Sequence, residues 1–484
     1  MHIIGTTGMG KSYFLLKLMA DDINRGNGFC FLDPSFNGNT MKMVLSYCQS
    51  IGFEKVLIVD PHYRYEQGRI TPLNPFYKIR QASITHIYDT IRVLFDMKNQ
   101  AQYSFIDQYM PALLGVLWNA GLTLYESIYF SDYSNPYYRD KVLEILERSA
   151  DRSRELGEEF DADGITIRGA FASPTRYTDF GSTIRRLNVI YKHDTLKLMF
   201  GASERIEFAK LVKEGWVILV NLHQGFGITP LHSKLLGTAV INEVMFAIER
   251  LAHRQWQGRY YLYIDEAGEY ANDKLINLLY YKRQSGLAVI LAHQLNSQFS
   301  SPEIKKAIQG QTKIKVAFYQ PDPTDRLETV KMLYGGELQD REVSYSLKHL
   351  KKQEAVMMAN DREPVTVRVP DVKGDKSPST KFIQKLYSKE FYVDAGKVIQ
   401  DQKQRLYENG RKNHTPPKPS PKANRRTTRK SGLRQPESTH QSWENVSQQF
   451  EQRQQPPETD GSQEDRPGQA KAGTGKAVRA KKPQ

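Results

Sequence analysis

The sequence predicts an α/β fold, in which a parallel sheet with crossover helices is interrupted by a mainly helical lobe and followed by a disordered tail. Three observations predict it. Short apolar runs that end in polar residues alternate with helical patterns, as expected for parallel strands. Roughly 150 residues between the runs at 55–61 and 216–222 hold no comparable run, which far exceeds an ordinary loop. From residue 410 onwards aliphatic side chains are almost absent.

The apolar runs have the composition of strands that are buried on both faces. Several end in a carboxylate or an amide. Because the carboxyl ends of parallel strands meet at one edge of a sheet, we expect a site at that edge. Helical patterns between the runs include 234–251 and 273–284. The predicted strands are 2–4, 29–34, 55–61, 216–222, 260–265, 287–292, 313–318 and 365–369.

The chain is predicted to divide into five segments. Residues 1–80 and 206–372 form the two parts of the core, 81–205 the mainly helical insert, 373–409 a helical extension and 410–484 a disordered basic tail. The tail cannot bury enough apolar surface to offset its chain entropy. Predicted helices lie at 84–97, 104–121, 140–153, 180–200 and 393–407, with an irregular connection over 155–185.

A phosphate-binding loop begins at residue 5. Residues Gly5-Thr6-Thr7-Gly8-Met9-Gly10-Lys11-Ser12 match the pattern G-x-x-x-x-G-K-[ST] in full, between a short predicted strand and an amphipathic helical pattern. The glycines allow the backbone to curl so that its N–H groups and the helix N-terminus face phosphate oxygens. We expect Lys11 to reach the β- and γ-phosphates of a nucleotide and Ser12 to coordinate Mg²⁺.

The predicted strand 260–265 ends in a pair of carboxylates, Asp265 and Glu266. Near a phosphate loop, Asp265 is suited to hold Mg²⁺, directly or through water, and Glu266 to orient and polarise an attacking water. The alternative is that both acids only cap a following helix, whose dipole favours them. We favour the catalytic interpretation because a complete phosphate loop is present and four apolar or aromatic residues precede the pair.

Two further polar residues flank the next predicted strand. An amide at the strand end, Gln294, can hydrogen-bond the γ-phosphate or the water and so sense its presence; a solvated strand end explains this residue equally well. Upstream, Arg283 can act as an arginine finger toward a neighbouring subunit's nucleotide. By residue type alone, the basic end of a surface helix is the favoured interpretation of Arg283.

Taken together, these features resemble the HerA/FtsK superfamily of hexameric DNA-pumping ATPases. The resemblance rests on the phosphate loop, the strand that ends in Asp33-Pro34, the Asp265-Glu266 pair and the segment from Arg283 to Gln294. Within that superfamily the chain is most similar to the conjugative coupling proteins of type IV secretion, the TraG/TraD-like family, over roughly residues 1–370.

The resemblance implies a P-loop NTPase core of RecA-like type that hydrolyses ATP with Mg²⁺ and translocates DNA. It also implies a homohexamer with sequence-independent contacts to DNA, and a relaxase or proteins of the secretion apparatus as partners. The implied roles are Lys11 and Ser12 for nucleotide and metal, Asp265 for metal, Glu266 as catalytic carboxylate, Gln294 as sensor and Arg283 as a finger acting in trans.

One departure from the family concerns the membrane. Coupling proteins usually carry an N-terminal membrane anchor ahead of the phosphate loop, and this sequence shows none. Either this chain is a soluble relative of the coupling proteins that a separate anchor protein attaches to the membrane, or the true start of the protein lies upstream of Met1. The apolar run 112–124 is shorter than the roughly 20 residues a bilayer span needs. We expect a cytoplasmic protein with no membrane segment in this chain, and any attachment through a partner or an upstream anchor.

Charge and cysteine content narrow the compartment and partners. Residues 401–484 hold 18 Lys/Arg against 9 Asp/Glu, which is most of the net charge of +14. Tail clusters such as Arg425-Arg426 either attract DNA or an acidic partner, or only keep the tail soluble. Basic and aromatic residues at 176–177 and 185–186 are candidates for DNA contacts, although an ordinary solvated face is favoured. The two cysteines show no close pairing pattern and suit a reducing compartment.

Two functions of different classes remain open on the sequence. The first is an ATP-driven DNA translocase that couples DNA to a conjugation apparatus. The second is a receptor or recruitment module that binds ATP mainly to assemble and docks secretion substrates through the helical lobe and tail. A small-molecule P-loop kinase is disfavoured by the chain length and by the Asp265-Glu266 pair, which suits activation of water.

Overall fold

A nine-stranded sheet organises this chain in the computed structural model, which describes residues 1–62, 68–95, 104–132, 134–270, 279, 285–299, 301–334, 346–360, 362–370 and 377–405. The strands in those residues are β1 (His2–Ile4), β2 (Gly28–Asp33), β3 (Val56–Val59), β4 (Arg69–Ile70), β5 (Val217–Asn221), β6 (Tyr260–Ile264), β7 (Leu287–His293), β8 (Ile314–Ala317), β9 (Glu354–Ala359), β10 (Val365–Arg368) and β11 (Val393–Asp394). The large sheet has the order β10-β9-β8-β1-β7-β6-β2-β5-β3, and β4 pairs with β11 separately.

Helices connect the strands and form the insert. They are α1 (Lys11–Asn24), α2 (Asn39–Ser50), α3 (Arg80–Leu94), α4 (Ser104–Asn119), α5 (Pro136–Glu155), α6 (Ala162–Ala170), α7 (Pro174–Tyr191), α8 (Asp194–Phe200), α9 (Phe208–Lys213), α10 (Pro230–Ala252), α11 (Pro302–Gln311), α12 (Pro323–Tyr334), α13 (Thr380–Tyr387) and α14 (Ala395–Gln404). Among these helices of the described residues, none combines the length and the apolar character that crossing a bilayer requires.

The strand order places the ends of the site-bearing strands side by side. Strand β1 lies in the interior of the sheet, because it pairs in parallel with β7 on one side and with β8 on the other. In turn β7 pairs with β6, and β6 with β2, all in parallel. Parallel strands end at the same edge, so the phosphate loop after β1 lies at the same edge as Gln294 after β7, Asp265 after β6 and Asp33 at the end of β2.

All eight predicted strands are present, with ends that differ from the prediction by at most two residues. Strands β4, β9 and β11 are not predicted, and β11 takes the first two residues of the helix predicted over 393–407, which begins instead at Ala395. Strand β9 is the longest of the three. Glu354–Ala359 reads E-A-V-M-M-A, with one β-branched residue and otherwise weak strand formers. It is extended because it hydrogen-bonds antiparallel to both β8 and β10, so its strand conformation depends on tertiary pairing.

The insert is helical from α3 to α8, and here one prediction is wrong. The segment 155–185, predicted as an irregular connection, contains α6 and the first part of α7. The glycines and serines of this segment are typical of a loop, but each helix begins at an N-cap. The Asp161 carboxylate accepts a hydrogen bond from the N–H of Gly164, and the Ser173 hydroxyl accepts one from the N–H of Arg176. The predicted helix 180–200 is two helices, because His193 caps a new start at α8.

A buried polar cluster fastens the insert to the core. Glu243, on α10, accepts a hydrogen bond of 2.9 Å from the hydroxyl of Tyr77, and His86 Nε2 on α3 lies 3.4 Å from the same carboxylate. The guanidinium of Arg205 lies 3.7 Å from the second carboxylate oxygen and 3.7 Å from the centre of the Tyr77 ring. The cluster therefore joins the segment before α3, the segment before α9 and the long core helix α10.

Candidate active site

The phosphate loop forms a curled backbone between β1 and α1. Gly5 and Gly10 have φ of 155° and 113°, and α1 begins at Lys11 directly after Gly10. A Cβ on Gly5 would lie 2.5 Å from Cβ of Phe318, so the loop packs too closely on β8 to accept a side chain there. A Cβ on Gly10 would lie 3.1 Å from Cα of Gln353, whose N–H donates to the carbonyl of Met9. Residues directly after β8 and directly before β9 thus pack against the loop.

Lys11 lies inside the loop. Its ammonium donates to the carbonyls of Gly5, at 2.7 Å, and of His293, at 3.3 Å, and the residue is only 6% exposed. Burial lowers the Lys11 pKa, while the charges of Asp265 and Glu266 oppose that effect. The lysine is therefore pre-positioned between the loop and the two carboxylates, where a phosphate can take over its hydrogen bonds. Ser12 lies in the first turn of α1 and is half-buried.

The predicted carboxylate pair lies at the end of β6. Asp265 is buried, which raises its pKa to about 7; Lys11 lowers the pKa, and the neighbouring charges of Glu266 and Asp33 raise it further. Glu266 adopts a left-handed backbone, with φ 48° and ψ 49°. That conformation costs a residue with a side chain about 1–3 kcal/mol, and residues strained in this way cluster at functional sites. The backbone turns sharply at Glu266, directly after β6, and the residue remains partly exposed at the edge of the site.

Hydrogen bonds connect Glu266 to the phosphate loop. The side-chain amide of Gln294 donates to Glu266 Oε1 at 2.6 Å, and the Gln294 carbonyl oxygen accepts from the Thr7 hydroxyl at 2.9 Å. A second amide, that of Gln298, donates to Glu266 Oε2 at 3.3 Å. Because Gln298 Oε1 also accepts from the N–H groups of Gln294 and Leu295, it orients the whole turn after β7. Both oxygens of Glu266 are thus engaged, on a path that starts at the phosphate loop.

Two buried histidines, His2 and His293, connect the strands that lead to the two ends of the Thr7–Gln294 hydrogen bond. His293 Nδ1 lies 3.0 Å from the carbonyl of Leu295, so that nitrogen carries the proton, and its Nε2 accepts from Nε2 of His2 at 2.5 Å. Burial lowers the His293 pKa to about 3 and holds the His2 pKa well below its usual value. Both rings are neutral at pH 7. They join β1, which leads into the phosphate loop, to β7, which leads to Gln294.

Three residues near the site were not predicted as site residues. Asp33 is fully buried at the end of β2 and accepts from the N–H groups of Ser35 and Met41, at 3.0 and 2.6 Å. Asp33 ends a buried apolar run in the sequence, and that position could have marked it as a site residue. The others, Gln298 and Gln353, reach the site from turns that are far from the phosphate loop in sequence. No local pattern marks them, since only the tertiary fold brings them there.

The residues present fit a nucleotide with Mg²⁺. Protein sites bind Mg²⁺ through one or two side-chain oxygens, with water and phosphate as the other ligands. The Ser12 hydroxyl and the Asp265 carboxylate are such oxygens, and a cation would favour the ionised form of Asp265, which burial and, after it, the charges of Glu266 and Asp33 disfavour. In the described part of the chain, no group of three or more His, Cys, Asp or Glu residues forms a metal cage. Arg283, most of the predicted helix 273–284 and the tail from residue 406 lie outside the described residues.

Comparison with known proteins identifies the fold. No protein-family model and no curated protein matches the chain. The unbound bacterial conjugative coupling protein TrwBdeltaN70 matches with a TM-score of 0.50 and 16% identity, over 78% of this chain and 86% of that one. Plasmid coupling protein TrwB in complex with ADP and Mg²⁺ gives 0.50 and 17%, over 78% and 87%. VirB4 of Thermoanaerobacter pseudethanolicus gives 0.49 and 16%, over 77% and 90%.

The two TrwB matches establish a shared fold. The chain has the α/β P-loop NTPase fold of these coupling-protein structures, which confirms the predicted fold class and, at the level of the fold, the resemblance predicted from the sequence motifs. One of the matching TrwB structures is a complex with ADP and Mg²⁺. These are ligands of the class that the phosphate loop predicts for this chain.

Proposed function

We propose that this chain is an ATPase that couples ATP hydrolysis to DNA translocation at a type IV secretion or conjugation apparatus. The observation that carries the proposal is the hydrogen-bonded path from Thr7 through Gln294 to Glu266, which joins the phosphate loop to a carboxylate suited to activating water. The shared fold with a coupling protein supports the same assignment.

In the proposed mechanism Lys11 leaves its two carbonyl partners to bind the β- and γ-phosphates, while N–H groups of the loop and of the α1 N-terminus bind the remaining oxygens. Ser12 and Asp265 would hold Mg²⁺, which would supply neutralisation of the charge on the phosphates. Asp265 must be ionised to do so, and proximity to the cation favours that form.

Glu266 orients and polarises the attacking water. Its two carboxylate oxygens accept from Gln294 and Gln298, so the carboxylate is positioned before substrate arrives. A γ-phosphate beside Thr7 competes for the hydroxyl that Gln294 now accepts from, and the Gln294 amide then reports nucleotide state to Glu266. In this scheme Gln294 is a sensor and Glu266 the catalytic carboxylate.

The remaining roles follow the family that the sequence resembles. Arg283 of one subunit is proposed to stabilise charge at the nucleotide of its neighbour, within a homohexamer whose partners are DNA, a relaxase and proteins of the secretion apparatus. Contacts to DNA are expected to be sequence-independent and weakened by salt. A cytoplasmic location fits this role, with any membrane attachment through a partner or an upstream anchor.

The test measures ATP hydrolysis and ATP binding separately, with and without DNA. Glu266→Gln is expected to abolish turnover while nucleotide binding persists, and Lys11→Ala to abolish binding. Glu269→Gln, a carboxylate three residues further along the same turn, is the matched control and is expected to retain turnover. Hydrolysis that is identical with and without DNA at low salt would contradict the motor and support the alternative, an ATP-binding recruitment module.

A further inference from the structure

The loop after β5 presents an unusual phenylalanine. Phe226 has a left-handed backbone, with φ 49°, and is 89% exposed. Its neighbours Gly225 and Gly227 also have positive φ, and Gly225 and Ile228 exchange two backbone hydrogen bonds of 2.9 and 3.0 Å, which close a tight turn. Glycine would satisfy this turn without strain, whereas phenylalanine bears both a strained backbone and an exposed ring. The position therefore points to a use for the ring itself.

A second exposed phenylalanine belongs to the same surface. Phe36, in the turn after β2, is 75% exposed, and its ring centre lies 5.0 Å from that of His223 in an edge-to-face contact. His223 stacks on His62 at 5.5 Å, and His62 contacts Phe226 edge-on at 6.4 Å. We call these four contacting rings, Phe36, His223, His62 and Phe226, the ring row. Its two ends are exposed phenyl rings, and its middle is a supporting pair of histidines.

The ring row lies at the same edge of the sheet as the ATP site. Its residues follow β2, β5 and β3, which are consecutive neighbours in the sheet, and β2 is paired with β6. Asp33, at the end of β2, lies close enough to Asp265 for its charge to raise the pKa of Asp265, although burial is the larger cause. A ligand on the ring row would therefore lie alongside the nucleotide, on the side of the catalytic carboxylates.

Charged groups of both signs lie near the ring row. The nearby acids face protein donors: Asp60 Oδ1 accepts from the N–H of His62 and from the amide of Asn221, at 2.9 and 3.1 Å. Asp33 accepts two backbone N–H groups and is fully buried. Burial lowers the pKa of His223; His62 and Lys42 act in the same direction, whereas Asp33 and Asp60 raise it. The ring row therefore offers imidazoles between two phenyl rings, with one lysine and two hydrogen-bonded carboxylates close by.

We propose that the ring row is a stacking platform for the unpaired bases of single-stranded nucleic acid, an inference that rests on the proposed function. Stacking on aromatic rings is tolerant of sequence, because every base has a π face, and it requires bases whose faces are not already covered by neighbours in a duplex. A contact with a second copy of this chain would favour a continuous apolar patch at its core, whereas here two phenyl rings are separated by imidazoles.

The test compares binding of a labelled oligothymidylate and of a duplex of equal length by fluorescence anisotropy, on the full chain at low salt. Phe226→Gly removes the ring and suits the left-handed turn, and Phe36→Ala removes the other end. Each is expected to weaken single-strand binding by about 5- to 150-fold, the range for loss of one stacked base, and to leave duplex binding and ATP hydrolysis without DNA unchanged. Phe226→Trp is expected to retain binding.

Phe160→Ala removes an exposed phenylalanine outside the ring row, with 61% exposure, and is the matched control. If wild-type protein binds single strands and both ring-row variants bind them equally well, the ring row is refuted while the motor stands. If single-strand and duplex binding fall together, base stacking is refuted. If Phe226→Gly instead dissociates the oligomer with binding per assembled particle unchanged, the surface is a contact between copies. If wild type binds no DNA, both proposals fail.

Discussion

The carboxylate of Glu243 makes a quantitative prediction about pH and stability. Burial raises its pKa from 4.5 to about 7, although Arg205 and the Tyr77 hydroxyl act in the opposite direction. The folded chain therefore holds a proton on Glu243 at pH values where the unfolded chain has lost it. Stability then falls as pH rises above about 4.5, and the loss is complete above about 7. A difference of roughly 2.5 pKa units corresponds to about 3 kcal/mol, of which about 2 kcal/mol falls between pH 5.5 and 8.0.

Glu243→Gln removes this titration and keeps the shape of the side chain. The variant loses contacts to Arg205 and Tyr77 at every pH, so its absolute stability is not the measure. We expect the stability of the variant relative to wild type to rise by about 2 kcal/mol from pH 5.5 to 8.0. Urea unfolding followed by far-UV circular dichroism at several pH values measures it.

The control for net charge is Glu159→Gln, which neutralises an exposed glutamate. Its stability relative to wild type is expected to stay constant over the same pH range. Parallel pH profiles for wild type and Glu243→Gln would refute the reasoning, because they would mean that Glu243 has the same proton affinity in the folded and unfolded chain. A profile that diverges in the opposite direction would mean that Arg205 stabilises the ionised carboxylate more than burial destabilises it.

Three further predictions concern the site. Gln298→Leu removes a hydrogen bond to the Glu266 carboxylate. ATP turnover is expected to fall about 10- to 100-fold, which corresponds to the free energy of a hydrogen bond to a charged group, while nucleotide affinity measured by calorimetry is retained. Gly5→Ala places a Cβ 2.5 Å from Phe318 Cβ and is expected to cost about 1–3 kcal/mol and to impair ATP binding, measured by thermal unfolding and titration; unchanged binding would contradict the close packing. Mixing inactive Arg283→Ala and Lys11→Ala subunits is expected to restore some hydrolysis, and no rescue in confirmed mixed oligomers would remove Arg283 from a trans role.

The features predicted well from sequence are those with local causes. The glycines at positions 5, 8 and 10 of the phosphate loop serve a backbone with positive φ, which few other residues adopt. The parallel strands are continuous apolar runs because both of their faces are buried. The edge at which Asp265 and Gln294 lie follows from strand direction alone, so their proximity was predictable once the strands were assigned.

The features that were missed depend on contacts between distant segments. Strand β9 has weak strand propensity and is extended by its pairing with β8 and β10. Helices α6 and α7 contain glycine and polar residues that suggested a loop, and their caps at Asp161 and Ser173 together with packing in the insert outweigh those local preferences. The roles proposed for Gln298 and Phe226 have no sequence signature, since each depends on which loops the sheet brings together.

The sequence by itself determined the chemistry available to this protein: a loop for phosphate, a carboxylate pair at a strand end, and the order of elements that makes a parallel sheet. These depend on neighbours a few residues apart, which the chain carries at every stage of folding. Only the tertiary structure decided how Glu266 is held by two amides, how buried histidines join β1 to β7, and which rings line up at the same edge of the sheet as the candidate site. Those arrangements join residues up to 291 positions apart, as in the His2–His293 pair, and burial in the folded core creates them.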